Sequence, residues 1–502
     1  MQLGIDLGTT RTVVAAFDRG NYPVVEFTVG NGDLIDHYPT VTADVGGKLI
    51  HGIDADLAAR EGAPNIRSWK RLLAQTRKDE PLVIGSVETT PVALVTGFLG
   101  SLRDDLRSRS SIGSMLVGDI EAVVSVPANA HSTQRFTTLD GFKRAGYDVR
   151  AVLNEPAAAG IEFAHRHSSA LNSRREHVVV YDLGGGTFDA ALVYVGEGRH
   201  DIETTSGISE LGGDDFDAQL LAMALEKAGR DFPENPAARA DLLRECRHAK
   251  ESIHPNTRKI ALDLLALGDL APEESVILPV AEFYERTKPL VTRTLEAIEP
   301  LVAMLQEEHE GGIAGIYMVG GASGLPIVPR TVREKFGRRL HRSPHPAAAT
   351  AIGCAIAAVN EKRGELSVAE KFTRHFGVFR EAERGGRAIF DGIFAKGTPM
   401  PQNGSIVKTR RYRAAHDIAH FRFVEAGDVD PWGNPTGDLT PHAEILFAVA
   451  HQLEGLPLTG RPVSLLGREG PLIEERYEVD YAGVISFTIS DLDTSRVSKF
   501  VL

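Results

Sequence analysis

The chain has 502 residues, 42% of them hydrophobic and 25% charged, with 50 glycines and a formal net charge of -13. That length exceeds one ordinary core and fits about two to four domains, and the composition excludes both disorder and a fibrous repeat. The negative charge argues against a dedicated nucleic-acid binder, whose phosphate-tracking surface would bias the chain basic.

The N-terminal MQLGIDLG has no basic region followed by an apolar signal core, and no run approaches the roughly 20 apolar residues of a membrane span. Only two cysteines occur, Cys246 and Cys354, neither in a CxxC, which disfavours a disulfide framework or a zinc ribbon. The expectation is a cytoplasmic protein without nucleic-acid or membrane partners. Residues 4–13 read GIDLGTTRTV, an apolar strand interrupted by glycine and hydroxyl residues beside Asp6. Residues 182–189 read DLGGGTFD between the apolar runs HVVVY and ALVYV. Glycine inside a strand marks a place where something approaches the backbone, and two such turns suggest two similar lobes facing one another. Backbone N–H groups in a glycine turn can meet phosphate oxygens, and threonines add hydroxyl donors. Aspartate suits a magnesium ion that keeps its waters.

Up to about residue 360, strand-like runs (EAVVSVP, HVVVYDL, IYMVGGA) alternate with helical segments, the signature of a layered α/β domain. In DLLRECRHAKESI, Leu242, Cys246, Ala249 and Ile253 form an apolar stripe, and Arg247, Lys250, Glu251 and His254 a polar one beside it. HRSPH at 341–345 holds two histidines, but Pro344 denies them the helical spacing of a zinc site. Residues 361–375 read as a helix end followed by a charged connector. From 376 to 502, short alternating runs separated by turn signals such as DPWGNPTGD predict a β-sandwich. In IAHFRFVE, Ala419, Phe421 and Phe423 share one face, which is either a peptide pocket or plain sandwich core.

The two glycine turns resemble the phosphate loops of the actin, hexokinase and heat-shock ATPase superfamily, and the text is closest to the heat-shock protein 70 chaperones. SVPANAHSTQR, NIRSWKRLL, VLNEPAAAGIEF, ELGGDDFD and MVGGASGLP are similar to five further segments of that family, and FDGIFAKGTPMP and VDYAGVISFTISD to its peptide-holding sandwich. The resemblance implies a two-lobed actin-like α/β ATPase domain at 1–360, a linker at 361–375 and an all-β substrate-binding sandwich at 376–502. It implies ATP/ADP and Mg²⁺ as cofactors, with Asp6 and Asp182 holding the metal through waters. Gly8, Thr9, Thr10, Arg11, Gly184, Gly185, Gly186 and Thr187 would cradle phosphates, and Lys70 and Glu155, with Asp182 and Thr187, would serve hydrolysis. Gly212, Gly213, Asp214, Gly320, Gly321 and Ala322 would line the nucleoside side with Arg247, Lys250, Glu251 and His254. Pro127 and Arg135 are similar to the family's switch proline and relay arginine. Unfolded polypeptide, a J-domain co-chaperone and an exchange factor are the implied partners.

Departures from the family pattern cluster on the adenine side. The family's helix carries Glu and Arg where this chain has Arg247 and Glu251, and its arginine in the GGSTRIP loop becomes Gly324. Losing two base-stacking guanidiniums, at about 0.5–2 kcal/mol each, would weaken binding. Arg247 could take over the stacking, or form an i, i+4 ion pair with Glu251. The linker text ELSVAEKF is charged where the family has leucines, so docking would bury less apolar surface. ERGG at 383–386 places charge near the family's arch over the peptide, and the lack of a helical lid implies fast peptide exchange. A nucleotide-dependent regulatory or scaffold protein is the alternative reading, and a small-molecule kinase a third.

Overall fold

Two strand hairpins, each closed by a glycine turn, organise the larger part of the molecule. In the computed structural model, described here for all residues except 31, 75–79, 128–129, 131, 169–170, 172–174, 197–198, 209, 273–274, 309–312, 338, 364–366, 370, 383–386, 402–403, 467–469 and 481–482, the chain divides into two compact units. One comprises Met1–Asn129 and Thr138–Val368, the other Ala130–Thr137 and Ala369–Leu502.

In the first unit, β1 (Gln2–Leu7) and β2 (Arg11–Ala16) pair antiparallel, and β1 lies parallel to β3 (Ile120–Val126), which lies parallel to β4 (Tyr147–Asn154). The second lobe repeats the plan: β5 (His177–Leu183) pairs antiparallel with β6 (Phe188–Gly196), β6 with β7 (Arg199–Ile208), β5 runs parallel to β8 (Gly315–Val319), and β8 parallel to β9 (Leu340–Arg342). The strands β5 and β6 are buried almost throughout, as a sheet covered on both faces requires, which is why their text is nearly continuous Val, Ala and Leu. Helices α1 (Ser132–Arg144), α2 (Glu155–Arg166), α3 (Gly213–Ala228), α4 (Pro236–Glu251) and α5 (Ala349–Arg363) complete the parts that matter for the site. Pro156 sits in the first turn of α2, where its missing N–H costs nothing, and Glu155 places a carboxylate at the positive end of the helix.

Helix α5 runs to Arg363, and Ser367–Ala369 forms β10, the edge strand of the second lobe's sheet beside β7. Main-chain pairing needs no apolar side chains, so a polar text can still form a strand. Among the described residues no helix is long and apolar enough to cross a membrane.

The second unit is a sandwich of two four-stranded sheets. One holds β11 (His375–Ala382), β12 (Arg387–Phe394), β14 (Ile418–Val429) and β15 (Pro435–Ala448); the other holds β13 (Ser405–Arg413), β16 (Leu472–Asp480), β17 (Ile485–Asp491) and β18 (Arg496–Val501). Aromatic side chains fill the space between them: Phe423 is 1% exposed, 5.2 Å from the Phe487 ring, and Phe421 lies 5.0 Å from the same ring. Phe421 and Phe423 are therefore inter-sheet core, with Ala419 packed against that core. The peptide-pocket expectation for these three residues is corrected accordingly: the face they share looks inward, and its large apolar area is consumed by joining the sheets. The ERGG stretch at 383–386 lies outside the described residues.

Candidate nucleotide site

Lys70 anchors the site. It lies on the short 3₁₀ helix Trp69–Ala74 and is only 4% exposed, with its Nζ 2.7 Å from Oε1 of Glu155 at the start of α2. Asp6 at the end of β1 accepts a hydrogen bond from Ser125 Oγ at 2.7 Å, and Asp182 at the end of β5 pairs across the hairpin with Asp189 of β6. Burial, reinforced by Glu155, pushes the Asp6 carboxyl up to about 6 and Asp189 up to about 7. Burial and the neighbouring carboxylates raise Asp182 well above the ordinary carboxylate range. Burial works against the Lys70 ammonium, but Glu155 and Asp6 overcome it and hold its pKa above the usual lysine value. Four carboxylates thus share one buried ammonium. Such a set lacks positive charge, which is what a divalent cation supplies. Carboxylates at two strand ends suit an ion that keeps most of its waters, as Mg²⁺ does; among the described residues no three His, Cys, Asp or Glu side chains converge as a direct ligand set.

The two glycine turns face each other tightly. A Cβ on Gly185 would stand 2.5 Å from Thr10 Oγ1, and one on Gly186 would stand 2.7 Å from Thr9 Cγ2. Only glycine lets the backbones approach this closely. Gly184 N bonds Thr187 O at 3.0 Å to close the second turn, and the Thr187 side chain bonds Asp189. Gly8 N bonds Asp6 O at 3.1 Å in the first. Gly213 N and Asp214 N bond the carbonyls of Gly184 and Gly185 at 2.9 and 2.8 Å, which ties the LGGDD turn at the start of α3 to the second glycine turn. Gly320 adjoins Asp182, and a Cβ on Gly213 would lie 3.4 Å from Ala322 Cβ, so the turn Gly321–Gly324 belongs to the same ring.

On the nucleoside side the ion pairs differ from the sequence expectation. Arg247 bonds Asp214 Oδ1 at 2.9 Å and Asp217 Oδ2 at 3.3 Å, while Lys250 bonds Asp217 Oδ1 at 2.6 Å and Gly213 O at 2.6 Å. Glu251 pairs instead with Arg11, both Oε atoms 2.6 Å from the guanidinium. Of the two roles left open for Arg247, the hydrogen-bonded pair with Glu251 is not the one seen: two carboxylates of α3 lie against α4 and take the arginine's hydrogen bonds. His254 is exposed in the turn that follows α4, which ends at Glu251. Arg342 of the strand Leu340–Arg342 puts its guanidinium 3.9 Å from where a Gly324 Cβ would stand.

Three contributors escaped sequence reasoning. Asp189 was visible in DLGGGTFD, since hairpin pairing sets it opposite Asp182. Asp217 lies one helical turn after Gly213 on the buried face of α3. Arg71, next to Lys70, donates to Gly186 O and lies 3.6 Å from Asp215. Pro127 follows β3 at half burial, and Arg135 is buried on α1, within the segment Ala130–Thr137 that groups with the second unit.

The sequence model of the Hsp70 protein family matches residues 2–370. The chain belongs to the Hsp70 family. Similar Hsp70 relatives include the chaperone protein HscA homolog of Colwellia psychrerythraea, 31% identical over 375 residues, which cover 71% of this chain and 57% of that protein. The homolog of Chromobacterium violaceum is 33% identical over 379 residues, covering 71% and 58%. The match thus spans under two thirds of the length of these Hsp70 relatives. The Hsp70 architecture, actin-like ATPase lobes followed by a β-sandwich, is the one described above.

Proposed function

We propose that this protein is an ATP-dependent chaperone that binds and slowly hydrolyses Mg-ATP and couples nucleotide state to binding of extended polypeptide in the cytoplasm. The observation that carries the nucleotide half is the buried Lys70–Glu155 pair among Asp6, Asp182 and Asp189, set beside two facing glycine turns. In this reading Thr9, Thr10, Gly184, Gly185, Gly186 and Thr187 bind the phosphates through N–H and O–H donors. Asp6 and Asp182 hold the waters of Mg²⁺, which when bound neutralises phosphate charge. Lys70 and Glu155 orient the attacking water, and Glu155 accepts its hydrogen bond. This division suits phosphoryl transfer, where positioning and electrostatics supply most of the rate. Pro127 and Arg135 relay nucleotide state, and a J-domain partner and an exchange factor are the partners this reading implies.

Titration of the 502-residue chain with Mg-ATP, Mg-ADP and Mg-GTP, with and without an unfolded peptide, tests it. Adenine selectivity, with peptide affinity that changes with nucleotide, is the expected result. Peptide binding indifferent to nucleotide would favour the second reading, a regulatory or scaffold protein that keeps the clamp. That reading draws on the sandwich, whose Phe421 and Phe423 are used up in the core.

The raised carboxyls give a proton-linked prediction. A carboxyl whose folded pKa exceeds its unfolded value stabilises the fold fully below the unfolded pKa, and that contribution is lost as pH rises through the folded one. For Asp6 and Asp189 the window runs from the ordinary 3.8 to about 6 and about 7. Bound Mg²⁺ favours the ionised forms, so Mg-ATP binding at pH 6 is expected to release protons. Calorimetry in two buffers of different ionisation enthalpy should then give different binding heats, and equal heats would refute the linkage.

A further inference from the structure

We infer that the free edge of β13 takes an extended acidic polypeptide as an added strand, an inference that rests on the peptide-binding part of the function proposed above. Phe421 and Phe423 belong to the core, so a bound chain needs another surface, and the edges of the two sheets supply one. At the β15 edge, Pro435 and Pro441 lack the N–H that a ladder needs. β12 and β18 are shorter than β13, with one and two cations. β13 has nine residues, no proline and no carboxylate, and its text SIVKTRRYR carries Lys408, Arg410, Arg411 and Arg413. Among the described residues its sheet neighbour is β16 alone. Just past Arg413, Ala414 N donates to Pro471 O at 3.0 Å. Pairs along an antiparallel ladder alternate between bonded and unbonded, so Ile406, Lys408, Arg410 and Tyr412 turn their backbone groups to β16. Ser405, Val407, Thr409, Arg411 and Arg413 turn theirs outward, and the Thr409 carbonyl among them accepts from the Arg410 side chain at 3.1 Å.

Charge selects the occupant. The side chains of Arg411 and Arg413 are 68% and 56% exposed, and Lys408 is exposed beside them. Two of the carboxylates that meet this strand lie deeper: Glu474, which pairs with Arg411, is 20% exposed, and Asp391, which pairs with Arg410, is 18% exposed. Asp493 reaches Arg413 at 3.4 Å. The outermost layer of the edge is therefore positive. Carboxylates of an added strand would stand across from Arg411 and Arg413 on one face and from Lys408 on the other, the geometry in which cross-strand charge pairs attract. The same cations repel a second copy of the edge, so sheet extension between two copies of this chain is disfavoured.

The experiment follows the fluorescence anisotropy of a labelled peptide in which Val and Thr alternate with Glu, and of a twin with Lys in place of Glu, on the 502-residue chain. The acidic peptide is expected to bind about ten-fold tighter than its twin, and less tightly as KCl is added. Thr409→Pro removes an outward N–H that the fold does not use, so it is expected to weaken the acidic peptide about ten-fold while the melting temperature holds. Lys408→Glu with Arg411→Glu reverses the rim charge and is expected to invert the preference between the two peptides; it decides the outcome if the proline variant unfolds. Amide exchange should show protection of 405–413 that appears with peptide. Equal binding of the two peptides, wild-type affinity in the folded variants, or protection confined to other strands would overturn the edge site and leave peptide binding standing. Protection of β13 that grows with protein concentration in the absence of peptide would assign the edge to a second copy and overturn the proposal as well. Failure of wild type to bind either peptide or a reduced, alkylated protein chain would overturn the peptide-binding reading itself.

Discussion

Replacing Lys70 with alanine is expected to slow single-turnover ATP hydrolysis by about 100- to 1,000-fold, the cost of removing one preorganised donor or proton-handling group from a water-excluded site. The ammonium is buried, 2.7 Å from Glu155, and it is the cation that keeps Asp6, Asp182, Asp189 and Glu155 from facing one another uncompensated. Without it, Glu155 loses its partner at 2.7 Å, and, on the proposed reading, the attacking water loses a donor. On the proposed reading, nucleotide affinity should change far less, because the two glycine turns, to which that reading gives the phosphates, stay in place. Quenched-flow hydrolysis under conditions where all ATP is bound separates the two effects. A rate within about five-fold of wild type would remove Lys70 from the chemistry. Glu155→Gln, which keeps the shape and loses the charge, should fall between the two, and a loss of hydrolysis with ATP still bound would mark the pair as one unit.

Much of this site is legible in the text because its parts are backbone devices with strict residue demands. A hairpin whose turn touches a second turn must be glycine at the point of contact, so GIDLGTT and DLGGGTFD announce both the turns and their closeness. The carboxylates at the strand ends follow from the same text. What was not legible is partner choice among long charged side chains. Periodicity along α4 pairs Arg247 with Glu251, because only the helix's own spacing is visible. The structure pairs Arg247 with Asp214 and Asp217, carboxylates on a packed neighbour that no local rule connects to it. The face of IAHFRFVE shows the complementary limit. Alternation states correctly that Phe421 and Phe423 lie on one side of the strand, but not whether that side meets a ligand or a second sheet. The strand Ser367–Ala369 shows a third: its ordering comes from main-chain pairing at a sheet edge, to which side-chain polarity is almost irrelevant.

The sandwich contains a buried polar network that the text gave no reason to expect, and it carries the second large prediction. Glu475 on β16 is 0% exposed, yet it accepts from Arg380 at 3.1 and 2.6 Å, from the Tyr477 hydroxyl at 2.6 Å, and from Tyr412. Arg380 on β11 also reaches Asp391 at 2.6 Å, and Asp391 bonds Arg410 at 2.8 Å, so the network ties β11 and β12 of one sheet to β13 and β16 of the other. Glu475→Ala is expected to destabilise this unit by about 3–5 kcal/mol, since removing one partner strands a desolvated guanidinium and two hydroxyls. For a domain of this size that is a fall in melting temperature of about 10–20 °C, readable by calorimetry. A shift under about 2 °C would show that water or Asp391 compensates. Replacing Arg380 by methionine and Glu475 by leucine together should recover most of the loss, because apolar groups of similar size leave no buried charge unpaired. If the double variant regains stability and loses peptide binding, the ion network serves recognition. If it regains stability and keeps peptide binding, the network serves only to fix how the two sheets are joined.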